Sequence, residues 1–301
     1  MSRGHIKRLI IALGVTTLAL GFVGILPGRA ATLKVTPDAP QPGDVLTVTV
    51  YPAGGEKLTA VGMAAFDTDN LKFYQLPNGT ARAFVGLPFD RKGGTYTLRA
   101  RVQLSRNGTL AEQVLAAPLR ARNRNFPTQY ITMRASTAGT MSRTGALRQE
   151  KLFVQSKMKN SHAGPLWEGR WLLPASGLTS SAYGRRRYVN GRWWGQHNGT
   201  DFKAPNGARV VATNSGQVVL SQYLPTLRGN CIVIDHGCNV YSLYYHLSER
   251  LASVGQRVAK GQLIGKVGGT GFATGPHLHW EIRIGWEPVD PVKVARSGLR
   301  F

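Results

Sequence analysis

The stretch His277-Leu278-His279-Trp280-Glu281-Ile282-Arg283-Ile284 alternates polar and apolar residues without a break. Alternation of period two is the mark of a β-strand with two different faces. On such a strand the side chains of His277, His279 and Glu281 emerge on one side. Leu278, Trp280 and Ile282 emerge on the other. The sequence therefore predicts two imidazoles on one rigid surface, backed by an apolar layer. Neutral imidazole is a common metal ligand, so this pair is a candidate ligand source.

Upstream, His197-Asn198-Gly199-Thr200-Asp201 offers another His and a carboxylate. Gly199 argues against a helix here, so the segment reads as a turn that leads into a strand carrying Asp201. Two His and one Asp on a sheet would make a three-ligand zinc site with an open fourth position, the pattern of catalytic zinc. Five of the seven histidines lie between His197 and His279. Strands are also expected at Thr200 to Ala204, Val210 to Ala212, Gly216 to Leu220, Cys231 to Asp235 and Asn239 to Tyr245. Residues 171–301 thus read as a β domain. Cys231 and Cys238 do not form a multi-Cys metal module. A bridge between them is disfavoured, because the extended residues between them hold them too far apart.

Residues 32–125 read as a second β unit. Leu46 to Tyr51 and Thr95 to Val102 alternate, and Pro42-Gly43-Asp44, Pro77-Asn78-Gly79 and Asn107-Gly108 supply turns. Short strands at this spacing suggest a β-sandwich. Between the two units, residues 126–170 form a linker with one helix over Thr144 to Ser161. Leu147, Lys151/Leu152, Val154/Gln155 and Met158 fall at near-helical spacing there. The fold class is mainly β.

At the start, Arg3, Lys7 and Arg8 precede an uncharged apolar run from Leu9 to Leu26, and Pro27-Gly28-Arg29-Ala30-Ala31 follows. This is the pattern of a secretory signal peptide over residues 1–30. The run also reaches the length of an N-terminal membrane anchor. Either way the rest of the chain is expected outside the cytoplasm, in the periplasm or cell envelope, or secreted.

Lys and Arg number 38 against 15 Asp and Glu, a net charge of +23 in 301 residues. The excess is spread over every segment, with the largest share in residues 171–301. A basic surface favours polyanionic partners. Export makes nucleic acid an improbable one and leaves anionic wall polymers or a membrane surface. No obligate protein partner is implied.

The residues carry a resemblance to a known family. Tyr183-Gly184-Arg185, His197-Asn198-Gly199-Thr200-Asp201-Phe202, Ala204-Pro205-Asn206-Gly207, Asp235-His236-Gly237, Tyr244-Tyr245-His246-Leu247-Ser248, Gly268-Gly269-Thr270-Gly271 and Thr274-Gly275-Pro276-His277-Leu278-His279-Trp280-Glu281 follow in order. From about Leu173 to Val292 this resembles the LytM/lysostaphin-type zinc endopeptidases of peptidoglycan. Residues 84–98 more loosely resemble the Ig-like domain that often precedes such a peptidase. The resemblance implies a small antiparallel β domain with a substrate groove. It assigns one Zn2+ to His197, Asp201 and His279, and catalysis to His246 and His277. Relatives that lack these residues act as non-catalytic activators. All five are present, so an active enzyme is expected, with a non-catalytic wall-binding protein or amidase activator as the alternative.

No His-Glu-x-x-His is present, so histidine is expected as general base, His246 or His277. Glu281 could orient His279 from behind. Arg185, Trp193 and Trp194 are candidate groove residues for glycan or stem peptide. His236, between Asp235 and Gly237 in an expected turn, reads as structural.

Overall fold

The computed structural model describes residues 30–66, 71–133 and 144–299. The expected signal peptide lies outside the described residues apart from its last position. Among the described residues, no helix is long and apolar enough to cross a membrane.

The N-terminal unit has two antiparallel sheets. One orders Thr32–Thr36, Val45–Tyr51, Ala81–Gly86 and Tyr74–Gln75, and the other orders Lys57–Gly62, Gly94–Arg106 and Thr109–Ala121. Leu46, Val48 and Val50 from the first sheet meet Leu98, Ala100, Val102 and Leu104 from the second in one buried cluster. Each of these runs alternates along its strand, so a single apolar face per sheet suffices to build the core.

The C-terminal unit is built on an eight-stranded sheet. Its main path runs Arg257–Val258, Gly216–Leu224, Gly229–Asp235, Val240–Leu247, Leu278–Ile284, Thr200–Lys203 and Leu178–Ser181, and Glu287–Val289 pairs with Leu278–Ile284. Val240–Leu247 is buried at every residue. The cause is that this sheet is covered on both faces. Val240 and Tyr244 join Leu278, Trp280 and Ile282 in one core. Tyr241, Leu243 and Tyr245 join Cys231, Val233, Val154 and Met158 in another.

Val154 belongs to the helix Thr144–Lys157, which falls where the sequence placed it and ends four residues earlier. Its inward residues are Glu150 and Val154, while Leu152 is half exposed. The helix is therefore more than a connector: it roofs the second face of this sheet. Burying that face removes a large apolar area from water, the dominant favourable term in folding.

Two strands begin or end differently from expectation. The expected Asn239 to Tyr245 strand runs Val240–Leu247 and so includes His246. The expected His277 to Ile284 strand runs Leu278–Ile284, with His277 in an isolated bridge to Gly268. The linker also contains a strand, Thr128–Ile131, that pairs in parallel with Arg186–Val189. Cys231 and Cys238 are buried free thiols.

The two units are joined by more than the linker. Tyr74 and Phe84 of the first unit lie in the core of the second with Trp167 and Trp171. The Arg124 guanidinium donates to Asp290 at 2.6 Å, and Lys293 donates to Asp44 at 2.7 Å.

Candidate metal centre and active-site cleft

Asp201 and His279 are direct cross-strand partners in the central sheet, and Tyr245 opposes His279 from the other side. Register alone thus places a carboxylate beside an imidazole. His197 arrives from the turn before Thr200–Lys203. At Gly199 a Cβ would collide with the Trp280 carbonyl oxygen, so glycine is what allows this turn to press against the strand.

Three ligand atoms converge. His197 Nε2 lies 3.0 Å from Asp201 Oδ1 and 3.0 Å from His279 Nδ1, and His279 Nδ1 lies 2.8 Å from Asp201 Oδ1. All three residues are buried. Their other atoms are committed elsewhere. His197 Nδ1 faces the Ala182 carbonyl at 2.9 Å, and a carbonyl only accepts, so that nitrogen carries the proton. His279 Nε2 lies 2.9 Å from Glu281 Oε1, and Glu281 accepts at 2.5 Å from Arg283 Nε. Asp201 Oδ2 accepts from Arg187 Nη2 at 2.5 Å.

With the outward nitrogens protonated, the inward atoms are two lone pairs and a carboxylate oxygen. Three acceptors this close repel unless a proton or cation lies among them. Tetrahedral zinc with ligands at about 2.0–2.1 Å sets them about 3.3 Å apart, close to the spacing found. The donor set therefore fits a divalent cation. His197, Asp201 and His279 form the one such cluster among the described residues.

Burial and the neighbouring charges act on these groups in opposite directions. Burial pushes His197 down to about 4, against the pull of Asp201. Burial also works against charge on His279, but its bonds to Asp201 and Glu281 outweigh it and raise its pKa. Asp201 lies well below the usual carboxylate range, because His197 and His279 overcome its burial. Burial would raise Glu281 too, yet Arg283 and His279 hold its carboxyl well below the usual range.

His246 and His277 stand beside this cluster. Their ring centroids are 4.7 Å apart, and that of His246 is 6.1 Å from that of His279. His246 has φ of 62°, in the left-handed region that few residues other than glycine adopt. It is held there by its N–H donating to the Arg228 carbonyl at 2.9 Å. Its Nδ1 donates to the Thr270 carbonyl at 2.8 Å, as His277 Nδ1 does to Gly275 at 2.8 Å. Both rings therefore keep Nε2 free. Burial, with His277 and His279 nearby, pushes His246 down to about 3. Burial also lowers His277.

A cleft of about 550 Å³ opens over these groups, lined by Asp201, His246, His277, His279, Arg187 and Trp194 among others. Trp194 stacks on Phe272 with centroids 5.0 Å apart. Trp193 points elsewhere and is half exposed. Arg185 is not among the residues lining the cleft; it contributes its carbonyl to the His197 N–H at 2.9 Å. The arginine that reaches the cleft is Arg187. The linker strand supplies another wall with Gln129, Tyr130 and Ile131. Gln129 Oε1 accepts from Ser181 at 2.9 Å and from Arg187 Nε at 3.2 Å. His236 lies away from the cleft, fully buried between the Ser215 carbonyl and Ser242 Oγ, each at 2.7 Å.

A His-Asp-His cluster on an antiparallel sheet, open to a cleft with two further histidines, defines the class of metal-dependent hydrolytic sites. Residues 195–291 match the model of peptidase family M23, and the chain carries a domain of that family. Over 97 residues it is 45% identical to the peptidoglycan DD-endopeptidase ShyA of Vibrio cholerae, covering 32% of this chain and 22% of that protein. An uncharacterized metalloprotease of Haemophilus influenzae is 30% identical over 230 residues, covering 67% of this chain and 48% of the relative. This chain thus spans half or less of the length of these relatives. The fold is shared with a solved candidate peptidase M23 of Pseudomonas aeruginosa at a TM-score of 0.59 and 22% identity, covering 85% of this chain and 94% of that one.

Proposed function

We propose that the chain is a zinc-dependent endopeptidase that hydrolyses peptide cross-links or stem peptides of peptidoglycan in the cell envelope. The observation that carries this reading is the convergence of His197 Nε2, Asp201 Oδ1 and His279 Nδ1 within 3.0 Å beside His246 and His277. Similarity to peptidoglycan endopeptidases supports the substrate class.

His197, Asp201 and His279 hold the zinc, one per chain. When bound, zinc polarises a carbonyl and makes water acidic near neutral pH. The protein supplies the rest. His246 and His277 are neutral at working pH and present Nε2 to the cleft. One of them accepts the proton of the attacking water, and the other donates a hydrogen bond once protonated, to the oxyanion or the leaving amine. Glu281 fixes the tautomer and angle of His279 from behind. Arg187 and Trp194 bound the substrate path, with Trp193 and Arg185 on the adjoining surface. Residues 32–125, read as an Ig-like domain, are joined to the catalytic unit through Tyr74 and Phe84 in its core. The chain is exported through its N-terminal segment, and its charge keeps it on anionic wall polymers.

The test is release of soluble fragments from purified sacculi by the full chain loaded with one zinc. Wild type is expected to release them, and His279→Ala is expected to release none. Zinc-loaded wild type that clears no wall type would favour a non-catalytic wall binder on the same fold.

A further inference from the structure

Tyr130, Tyr188 and Trp193 stand side by side across the sheet formed by Thr128–Ile131, Arg186–Val189 and Arg192–Gln196. Tyr188 is the register partner of Tyr130 on one side and of Trp193 on the other. Ring centroids are 5.5 Å apart for Tyr130 and Tyr188, and 5.4 Å for Tyr188 and Trp193. The interplanar angles are 32° and 67°, so the row turns as it crosses the sheet. Tyr130 is 78% exposed and Trp193 52% exposed. The Arg186 guanidinium lies 5.8 Å from the Trp193 ring centroid.

Two exposed rings flanking a half-buried Tyr188 in register are not explained by a core, since none of the three belongs to a buried cluster. A contiguous exposed apolar row of this kind marks an interaction site. Aromatic faces are electron-rich and attract polarised C–H groups. A linear saccharide offers such groups: each pyranose ring has an apolar C–H face and a polar rim, repeated along the chain. The row is also continuous with the cleft. Tyr130 lines the cleft itself, and Trp194, next to Trp193, forms another part of its wall. A polymer lying on the row would present its attached peptides to His246 and His277. Arg186 adds a positive charge where a carboxylate of such a peptide would hang.

We propose that the Tyr130–Tyr188–Trp193 row is a binding site for the saccharide strand of peptidoglycan, distinct from the peptide-binding part of the cleft. The assignment rests on the peptidoglycan reading above. It makes this sheet a device that docks the polymer before a peptide bond is cut.

The experiment uses the zinc-loaded full chain and glycan strands stripped of peptide, which contain no bond for a peptidase to cut. Binding is followed by calorimetry at low and high salt. Wild type is expected to bind, and to keep most of its affinity at high salt, because stacking is not ionic. Tyr130→Ala is expected to weaken binding about tenfold, the loss typical of truncating an anchoring aromatic. Trp193→Tyr, which keeps a ring in place, should bind nearly as wild type. Tyr188→Ala serves as a second variant, with circular dichroism as a check on folding. Wild type that does not bind the stripped strands overturns the proposal, as does binding at wild-type affinity by both Tyr130→Ala and Tyr188→Ala. Binding abolished by salt would assign the affinity to charge and also overturn it. A short cross-linked peptide without sugar, assayed in parallel, separates the two readings: no cleavage there sinks the peptidase reading and leaves the glycan site standing.

Discussion

Glu150 and Arg228 form an ion pair of 2.9 Å in which both side chains are almost wholly buried. Glu150 belongs to the helix Thr144–Lys157, and Arg228 to the turn below His246. The same carboxylate accepts from the backbone N–H groups of Thr226, Leu227 and Arg228 at 2.9, 3.1 and 3.2 Å. Arg228 in turn lies over the Tyr245 ring, and its carbonyl receives the His246 N–H. One helix side chain thus fixes the turn from which a candidate catalytic histidine hangs.

Replacing Glu150 by Ala would take from the buried Arg228 the carboxylate that pairs with it, leaving the Tyr245 ring beside it, and would leave three N–H groups without this acceptor. Breaking a buried pair by removing one member costs about 3–5 kcal/mol. Glu150→Ala is therefore expected to lower the denaturation midpoint strongly, and at a permissive temperature to lower kcat more than it raises KM. Denaturant titration and steady-state kinetics check both. A wild-type midpoint would show that the turn holds without the helix.

Glu281 touches no substrate, yet it holds the far nitrogen of His279. Loss of such a partner typically weakens metal affinity by about 10–100-fold. Glu281→Gln is expected to bind zinc at the low end of that range, measured by competition with a chelating dye. Unchanged affinity would mean that packing against Tyr245, stacked on His279 with centroids 5.1 Å apart, is enough to orient the ring.

Acid should destabilise the fold through His236. Burial pushes its folded-state pKa down to about 4, from about 6.5 in an unfolded chain. Above about pH 6.5 the ring is neutral in both states and the linkage adds nothing. As pH falls from about 6.5 to 4 the unfolded chain takes up the proton first, so stability is lost over that window. Below about 4 both states are charged and the loss stops growing, at about 3 kcal/mol for this residue. Unfolding curves between pH 7 and 4 should show the decline, and His236→Asn should make it shallower by this residue's share, the rest coming from His197 and His246, which burial also lowers.

The net charge of +23 should matter on polymer and not on small substrate. Surface attraction is screened beyond about 10 Å at 0.1 M salt. Activity on intact sacculi is expected to fall as salt rises, while hydrolysis of a short neutral peptide stays level. Equal salt sensitivity on both would remove the wall from the account of the charge.

Much of the site was legible because it is carried by local rules. The alternation in His277 to Ile284 placed His279 and Glu281 on one face, and the turn at Gly199 delivered Asp201 to the neighbouring strand. What was not legible depends on distant pairing. Arg187 and Arg185 are indistinguishable in the run Arg185-Arg186-Arg187, and only the register of that strand against Thr128–Ile131 and Arg192–Gln196 turns Arg187 toward Asp201. The linker strand has no partner nearby in sequence to announce it. The helix was legible in place and only partly in phase. Of the expected apolar positions Leu147, Leu152, Val154 and Met158, Val154 and Met158 are buried, whereas Leu152 is half exposed and Glu150 faces inward. A buried acid with four donors looks, in sequence, like an exposed one.

The parallel pairing of Thr128–Ile131 with Arg186–Val189 bears on how this protein could be cut, shuffled or fused. A fragment beginning at residue 171 would carry the three ligands and both further histidines. It would also carry a naked strand edge at Arg186–Val189, a template for unwanted association between copies. The portable cassette is therefore longer than the family match, and its natural start lies upstream of Thr128.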